Sequence, residues 1–320
     1  MIYNNKSLGL YIHIPFCQFM CHYCDFVKTA RWDQGLAGKY FNALQKHLEK
    51  WLEIYVIPRG ICFDTIYFGG GTPGLFSKEY EGLMTLLKPH MDKGSEVTLE
   101  TNPNLVDEQK LRDWRDLGIN RLSIGLQSFS PKGLKFLTRD HLGLDLYEPT
   151  RLAQNYFSNI NLDLIYGWEG QTLDQWKKDL RELISIKPQH ISLYSLTYAF
   201  KTPIGRAFQR GKLLGLHDDE IFCFYTNAQR ALEVEGYIQQ EVSNWSKLGL
   251  EARHNQKYWQ DKPYLALGIG ASGYLPDSMD SLGIRYTYSS SLRQFIDSDP
   301  SAVVNLIDTR TLAVEKRNKD

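Results

Sequence analysis

The sequence predicts an α/β protein: an open, partial (β/α)6 barrel over residues 1–200, followed by an α+β extension over 201–320. Three observations carry this prediction. Short β-rich runs alternate with amphipathic helical stretches, which argues for a parallel sheet with right-handed crossovers. A closed eight-unit barrel needs about 250 residues, whereas the alternation here stops near residue 200. Polar or glycine-rich residues also recur at the same end of successive strand candidates, the end where chemistry collects in such sheets. A doubly wound sheet is the second architecture that the pattern allows.

Taken in order, the strand candidates are 8–14 (LGLYIHI), 63–69 (FDTIYFG), 96–102 (EVTLETN), 120–127 (NRLSIGLQ), 160–167 (INLDLIYG) and 190–196 (HISLYSL). Each is a short run of alternating or continuous apolar residues. Helical patterns fall at about 33–56, 77–90, 107–117, 131–138, 147–157 and 172–186. Ser77, Asp107 and Thr172 supply start signals for three of them. Beyond residue 200 the texture changes. DDEIFCFYTNAQRALEVEGY reads as a long amphipathic helix and YIQQEVSNW as a strand. The tail from about Arg310 is expected to be frayed or truncated.

The balance of 37 Lys and Arg against 37 Asp and Glu gives no support for a broad nucleic-acid footprint or a polybasic membrane patch. No apolar run approaches the roughly 20 residues of a membrane span, and the N-terminus does not read as a signal peptide. A reducing, cytoplasmic setting follows, in which clustered cysteines read as metal or redox ligands. Cys62 and Cys223 stand alone among apolar residues and are expected to be buried spectators.

The cluster is CQFMCHYCDF, residues 17–26, which sets Cys17, Cys21 and Cys24 at C-x3-C-x2-C spacing after the first strand. Three thiolates can hold three irons of a cubane and leave the fourth open to a ligand. Phe16, Phe19, Met20, Tyr23 and Phe26 would form an apolar shell around it. The other reading is a Cys3His zinc site using His22 or His13. His22 is directly beside Cys21, which makes convergence on one ion awkward. The same strand-end logic picks out GGGTP at 69–73, Glu100 and Asn102, Gln127, and Asp163 within the fifth strand. Glycines at such a turn let backbone approach a ligand and aim N–H groups at a carboxylate. Asp163 in an apolar strand needs a partner, and Arg139 is the natural candidate.

These residues resemble a known family. The cysteine spacing is similar to that of the radical S-adenosylmethionine (SAM) superfamily, whose fold is a partial TIM-like barrel. YIHIPFC (11–17), CDF (24–26), TIYFGGGTP (65–73), ETNP (100–103), RLSIGLQSF (121–129), DLIYG (163–167) and HNQKYW (254–259) narrow the resemblance to the oxygen-independent coproporphyrinogen III oxidase-like group. The resemblance implies a 4Fe–4S cluster on Cys17, Cys21 and Cys24. SAM would chelate the unique iron and be cleaved to methionine and a 5′-deoxyadenosyl radical. It further implies SAM contacts at Gly70, Gly71, Thr72 and Glu100, with Tyr11 and Tyr23 lining the site. Gln127, Arg139 and Asp163 match positions that hold a second SAM in the decarboxylase branch.

Two branches compete, a coproporphyrinogen III dehydrogenase and a HemW-type heme chaperone. The dehydrogenase branch carries a further cysteine where this chain has Phe26, and a long segment before the cluster loop where this chain has sixteen residues. Both departures favour the chaperone, with heme, heme-accepting target proteins and an electron donor as partners. His254 in HNQKYW is a candidate heme ligand on this reading; a histidine that merely holds a loop is the competing one. YGWEGQT (166–172) departs from the family's Gly-Leu-Pro-Gly, placing Trp168 and Glu169 in the loop after strand five.

Overall fold

The computed structural model describes residues 7–275 and 283–301. The expected tail from Arg310 lies outside them. All six expected strands form: β1 Ser7–Ile14, β2 Cys62–Gly70, β3 Met91–Thr101, β4 Arg121–Gln127, β5 Ile160–Tyr166 and β6 His190–Ser195. Contacts divide the chain into two units.

Among the described residues, the first unit comprises 7–16, 27–98, 253–275 and 283–301. Its helices are α1 Gln34–Trp51, α2 Ile57–Arg59 and α3 Glu81–Leu87. The stretch expected to be helical at 33–56 changes to a π turn at Leu52–Val56 before α2. Pro58 explains the change, because proline has no N–H for the carbonyl four residues back and its ring crowds that carbonyl. That carbonyl, Ile54 O, instead accepts a bond from Arg59 Nη1 at 3.2 Å. The stretch at 77–90 likewise splits, with 3-10 turns flanking α3, and Ser77 makes no side-chain cap. β1 pairs in parallel with β2. Phe16 centres an aromatic core, with ring centroids 5.2 Å from Trp32, 5.4 Å from Tyr40 and 5.6 Å from Phe76.

The second unit comprises residues 17–26 and 99–252. It holds α4 Glu108–Leu117, α5 Pro131–Phe136, α6 Tyr147–Gln154, α7 Leu173–Ile186, α8 Pro203–Gln209 and α9 Asp218–Val234. Asp107 caps α4 through Lys110 N–H, and Thr172 forms a capping box with Gln175 at α7, as their sequence signals predict. β4, β5 and β6 run parallel in that order. The expected strand at YIQQEVSNW is instead two short strands, β7 Ile238–Gln239 and β8 Asn244–Ser246, paired antiparallel, with β8 on β6.

In the first unit the chain after Ala252 adds α10 Arg253–Trp259, β9 Tyr264–Leu267, β10 Ser272–Leu275, β11 Ile284–Thr287 and α11 Leu292–Asp297. β9 pairs in parallel with β1, on the edge opposite β2. Antiparallel β10 and β11 follow outward. Cys62 is only partly buried and Cys223 is exposed, so neither is the buried spectator expected from its apolar neighbours.

Asp179 on α7 is buried, and its Oδ2 accepts the Ser128 hydroxyl at 2.6 Å, which holds the chain just past β4. Burial pushes its carboxyl up to about 6, against the bonds from Ser128 and the Phe129 backbone. An acid raised on folding takes up its proton in the native state first, so stability falls as pH rises from about 4 to about 6. Between pH 7 and pH 5 this group is expected to contribute about 1 kcal/mol in favour of the more acidic condition. Urea unfolding of the wild type and Asp179→Asn across that range checks it. Identical pH profiles for the two proteins would refute the assignment.

Candidate functional site

The cysteine loop belongs to the second unit and has two footings there. Tyr23 packs on a core of Leu137, Ile165, Trp168, Leu196 and Ile204, and Ile204 N–H donates to His22 O at 3.3 Å. Cys17 is buried, Cys21 and Cys24 are partly exposed, and all three are thiols rather than disulfides. The expected apolar shell forms only in part. Met20 and Phe26 are 46% and 63% exposed, and Phe16 lies in the first unit's aromatic core. His22 is exposed.

Arg139 follows α5 and is buried, 7% exposed. Its Nη1 donates to Cys21 Sγ at 3.4 Å, and its Nη2 to Asn102 Oδ1 at 2.6 Å and Gly125 O at 3.1 Å. Its Nε has no partner. Burial pulls the guanidinium down, but Tyr23 and Cys21 together hold it above its ordinary value. Burial likewise raises the Tyr23 phenol, opposed by Arg139. The neighbouring His141 is lowered to about 4 by burial and then by Arg139, and is neutral at pH 7.

The expected Arg139–Asp163 pair is not made. Arg139 is committed to the three acceptors above, while Asp163 is held by neutral donors from two strands. Asn161 Nδ2 reaches its Oδ1 at 2.6 Å, and the Ser123 hydroxyl its Oδ2 at 3.2 Å. Burial raises Asp163 above the usual carboxylate range, opposed by Ser192, Asn161 and Ser123. Asn161 Oδ1 in turn meets His190 Nδ1 at 2.7 Å and accepts Ser192 Oγ at 3.1 Å. Arg121, 2% exposed, sits by the same network with Nε and Nη2 lacking hydrogen-bond partners.

Gln127 ends β4 with φ +69, where the β4–β5 register shifts. A non-glycine residue in that region is strained and marks a constrained position. Its side chain folds back over Gly125, where an added Cβ would stand 2.6 Å from Gln127 Nε2. Cys21, Arg139, Asn102, Gly125 and Gln127 are thus gathered together. The sequence noted Asn102 at a strand end but gave it no role; only its contact with Arg139 exposes one. Glu100 is half-buried at the end of β3, and its charge helps raise the Tyr194 phenol after burial and Asp163.

In the first unit Tyr11 O–H donates to His13 Nδ1 at 3.0 Å, and His13 Nε2 donates to Val27 O at 2.6 Å. Burial lowers His13, so the ring is neutral at pH 7 and both nitrogens are engaged. Gly70 has φ +117, and a Cβ there would stand 2.5 Å from the His13 ring, so only glycine fits. The turn does not aim its next N–H groups at a ligand as expected. Gly71 N–H bonds Ile14 O and Thr72 N–H bonds Phe16 O, each at 2.8 Å, which zips the turn to the chain leaving β1.

His254 departs from the heme-ligand expectation. It is fully buried on α10, with Nδ1 on the Thr65 hydroxyl and Nε2 on Tyr258, each at 2.9 Å. Glu96 accepts the Arg253 and His254 backbone N–H groups, and Lys257 pairs with Asp64 at 2.8 Å. The HNQKYW helix is a clamp onto β2 and β3; neither His254 nitrogen is offered to iron.

The radical SAM superfamily model matches residues 11–183. The chain is 33% identical over 300 residues to the heme chaperone HemW of Lactococcus lactis, covering 92% of this chain and 76% of that one. It is 33% identical over 313 residues to the heme chaperone HemW of Bacillus subtilis, covering 96% and 80%. The chain belongs to the radical SAM superfamily and to its HemW family. Its fold is that of the Escherichia coli coproporphyrinogen III oxidase HemN, with TM-score 0.75 at 22% identity over 91% of this chain and 69% of that one. This HemW relative is accordingly an α/β protein of the partial-barrel type, and membership in the superfamily implies a 4Fe–4S cluster and SAM.

The donor chemistry fits such a cluster. Three thiols stand on one loop beside a buried cation that offsets thiolate charge. Among the described residues no three His, Cys, Asp or Glu side chains converge on one metal-ion position. A cubane gives each thiolate its own iron. Among the described residues no helix is long and apolar enough to cross a membrane.

Proposed function

We propose that this chain is a cytoplasmic, heme-binding chaperone of the radical SAM type that passes heme to target proteins. The observation that carries the reading is the 33% identity to HemW proteins, spread over more than nine-tenths of the chain and so over both units. Phe26, at the position of the dehydrogenase branch's further cysteine, supports it. Residues 1–200 form the radical SAM core in this proposal and 201–320 its extension. Cys17, Cys21 and Cys24 are the cluster ligands. When bound, the cluster and SAM supply one-electron chemistry.

Around them the chain's own groups have distinct tasks. Tyr23 fixes the loop to its core and limits water at the thiols. Glu100, Gln127 and Asp163 are the polar groups proposed to meet SAM in the second unit. In the first unit Tyr11 and the Gly70, Gly71, Thr72 turn are proposed to shape a SAM contact, with Gly70 letting the turn pack against the His13 ring. Partners are heme, heme-accepting proteins and a one-electron donor.

Heme titration of anaerobically reconstituted protein, followed by absorbance, is expected to end near one heme per chain. The same protein with SAM, reductant and coproporphyrinogen III is expected to release no carbon dioxide. Turnover of that substrate with no saturable heme uptake would instead establish the dehydrogenase reading.

A further inference from the structure

We propose that Arg139 is a positioning residue that sets the electron affinity of the cluster, by holding a buried guanidinium N–H on Cys21 Sγ. The inference rests on Cys21 being a cluster ligand. Three acceptors from three segments fix the guanidinium: Cys21 Sγ on the loop, Asn102 Oδ1 after β3 and Gly125 O on β4. The planar fork of arginine can serve all three while keeping its charge, which a lysine ammonium on a flexible stem cannot. Solvent screens the guanidinium little, since the whole residue is 7% exposed.

Reduction adds one negative charge to an iron–sulfur cluster. A cation and an N–H donor on a ligating sulfur stabilise the more negative state more, and low exposure weakens the screening. Arg139 therefore raises the potential. Gly125 and Asn102 are part of the device. A Cβ at Gly125 would meet the Gln127 amide, which would have to swing aside, and the Gly125 carbonyl is one of the guanidinium's anchors. A residue that served only to bind SAM would leave the SAM-free cluster unchanged.

The test is the midpoint potential of the SAM-free, anaerobically reconstituted cluster, read by electron paramagnetic resonance in a mediator-poised titration. Iron and sulfide content are measured on the same samples. Arg139→Met is expected to keep the cluster and make it about tenfold harder to reduce at a fixed potential, about 59 mV for a one-electron couple. Arg139→Lys keeps a charge but loses the fixed fork, and is expected to fall between Met and wild type. An unchanged potential in either variant with full iron overturns the inference. Loss of iron from both variants, with circular dichroism intact, also overturns it, because Arg139 would then serve assembly. Absence of iron from the wild type would count against the cluster assignment itself, a separate failure.

Discussion

Replacing Cys21 with alanine is expected to strip the protein of its cluster, taking iron from about four per chain to near none after anaerobic reconstitution. Two remaining thiolates, Cys17 and Cys24, cannot hold a cubane against exchange when a third iron has lost its anchor. The polypeptide should survive. The loop's footings, the Tyr23 ring and the His22 carbonyl, do not use the Cys21 sulfur, and Arg139 keeps Asn102 and Gly125. Far-ultraviolet circular dichroism is therefore expected to match wild type while the visible absorption disappears. Full iron and sulfide in the folded variant would contradict the ligand assignment.

The largest stability effect is expected at Trp168. The residue departs from the family's Gly-Leu-Pro-Gly, yet it is fully buried at the core that carries Tyr23. Phe136 lies 5.7 Å from its ring and the Lys132 ammonium 5.5 Å. Gly133 leaves room for it, since a Cβ there would come within 3.2 Å. Trp168→Ala leaves a cavity that loop and helix cannot both close, at a cost of about 3–5 kcal/mol. Chemical denaturation should show that loss in the apoprotein. The reconstituted variant should also release iron to a chelator faster than wild type, because Tyr23 loses its support. A loss below about 1 kcal/mol would show that the core collapses around the gap and that the loop does not depend on it.

Much of this molecule was legible from local patterns. The six strands follow period-2 and apolar runs whose causes lie within a few residues. The caps at Asp107 and Thr172 are bonds across three residues. Ser77 failed as a cap because its own N–H turns to Glu79 and the chain starts a 3-10 turn. YIQQEVSNW failed as one strand because the chain reverses within it to pair β7 with β8. Nothing in its alternation encodes the reversal.

The sequence by itself determined that three thiols share one loop after the first strand, that polar groups end the next strands, and which family the chain resembles. These are matters of spacing and residue type. Only the tertiary structure decided partners. Arg139 takes Cys21, Asn102 and Gly125 and leaves Asp163 to Asn161 and Ser123. The Gly71 and Thr72 amides turn to Ile14 and Phe16, His254 clamps a helix, and β9 joins β1 from more than 250 positions away. A buried polar group must find a partner, but many candidates of the right type exist along a chain. Which one it meets is fixed by where packing brings the strands, and that depends on the whole fold.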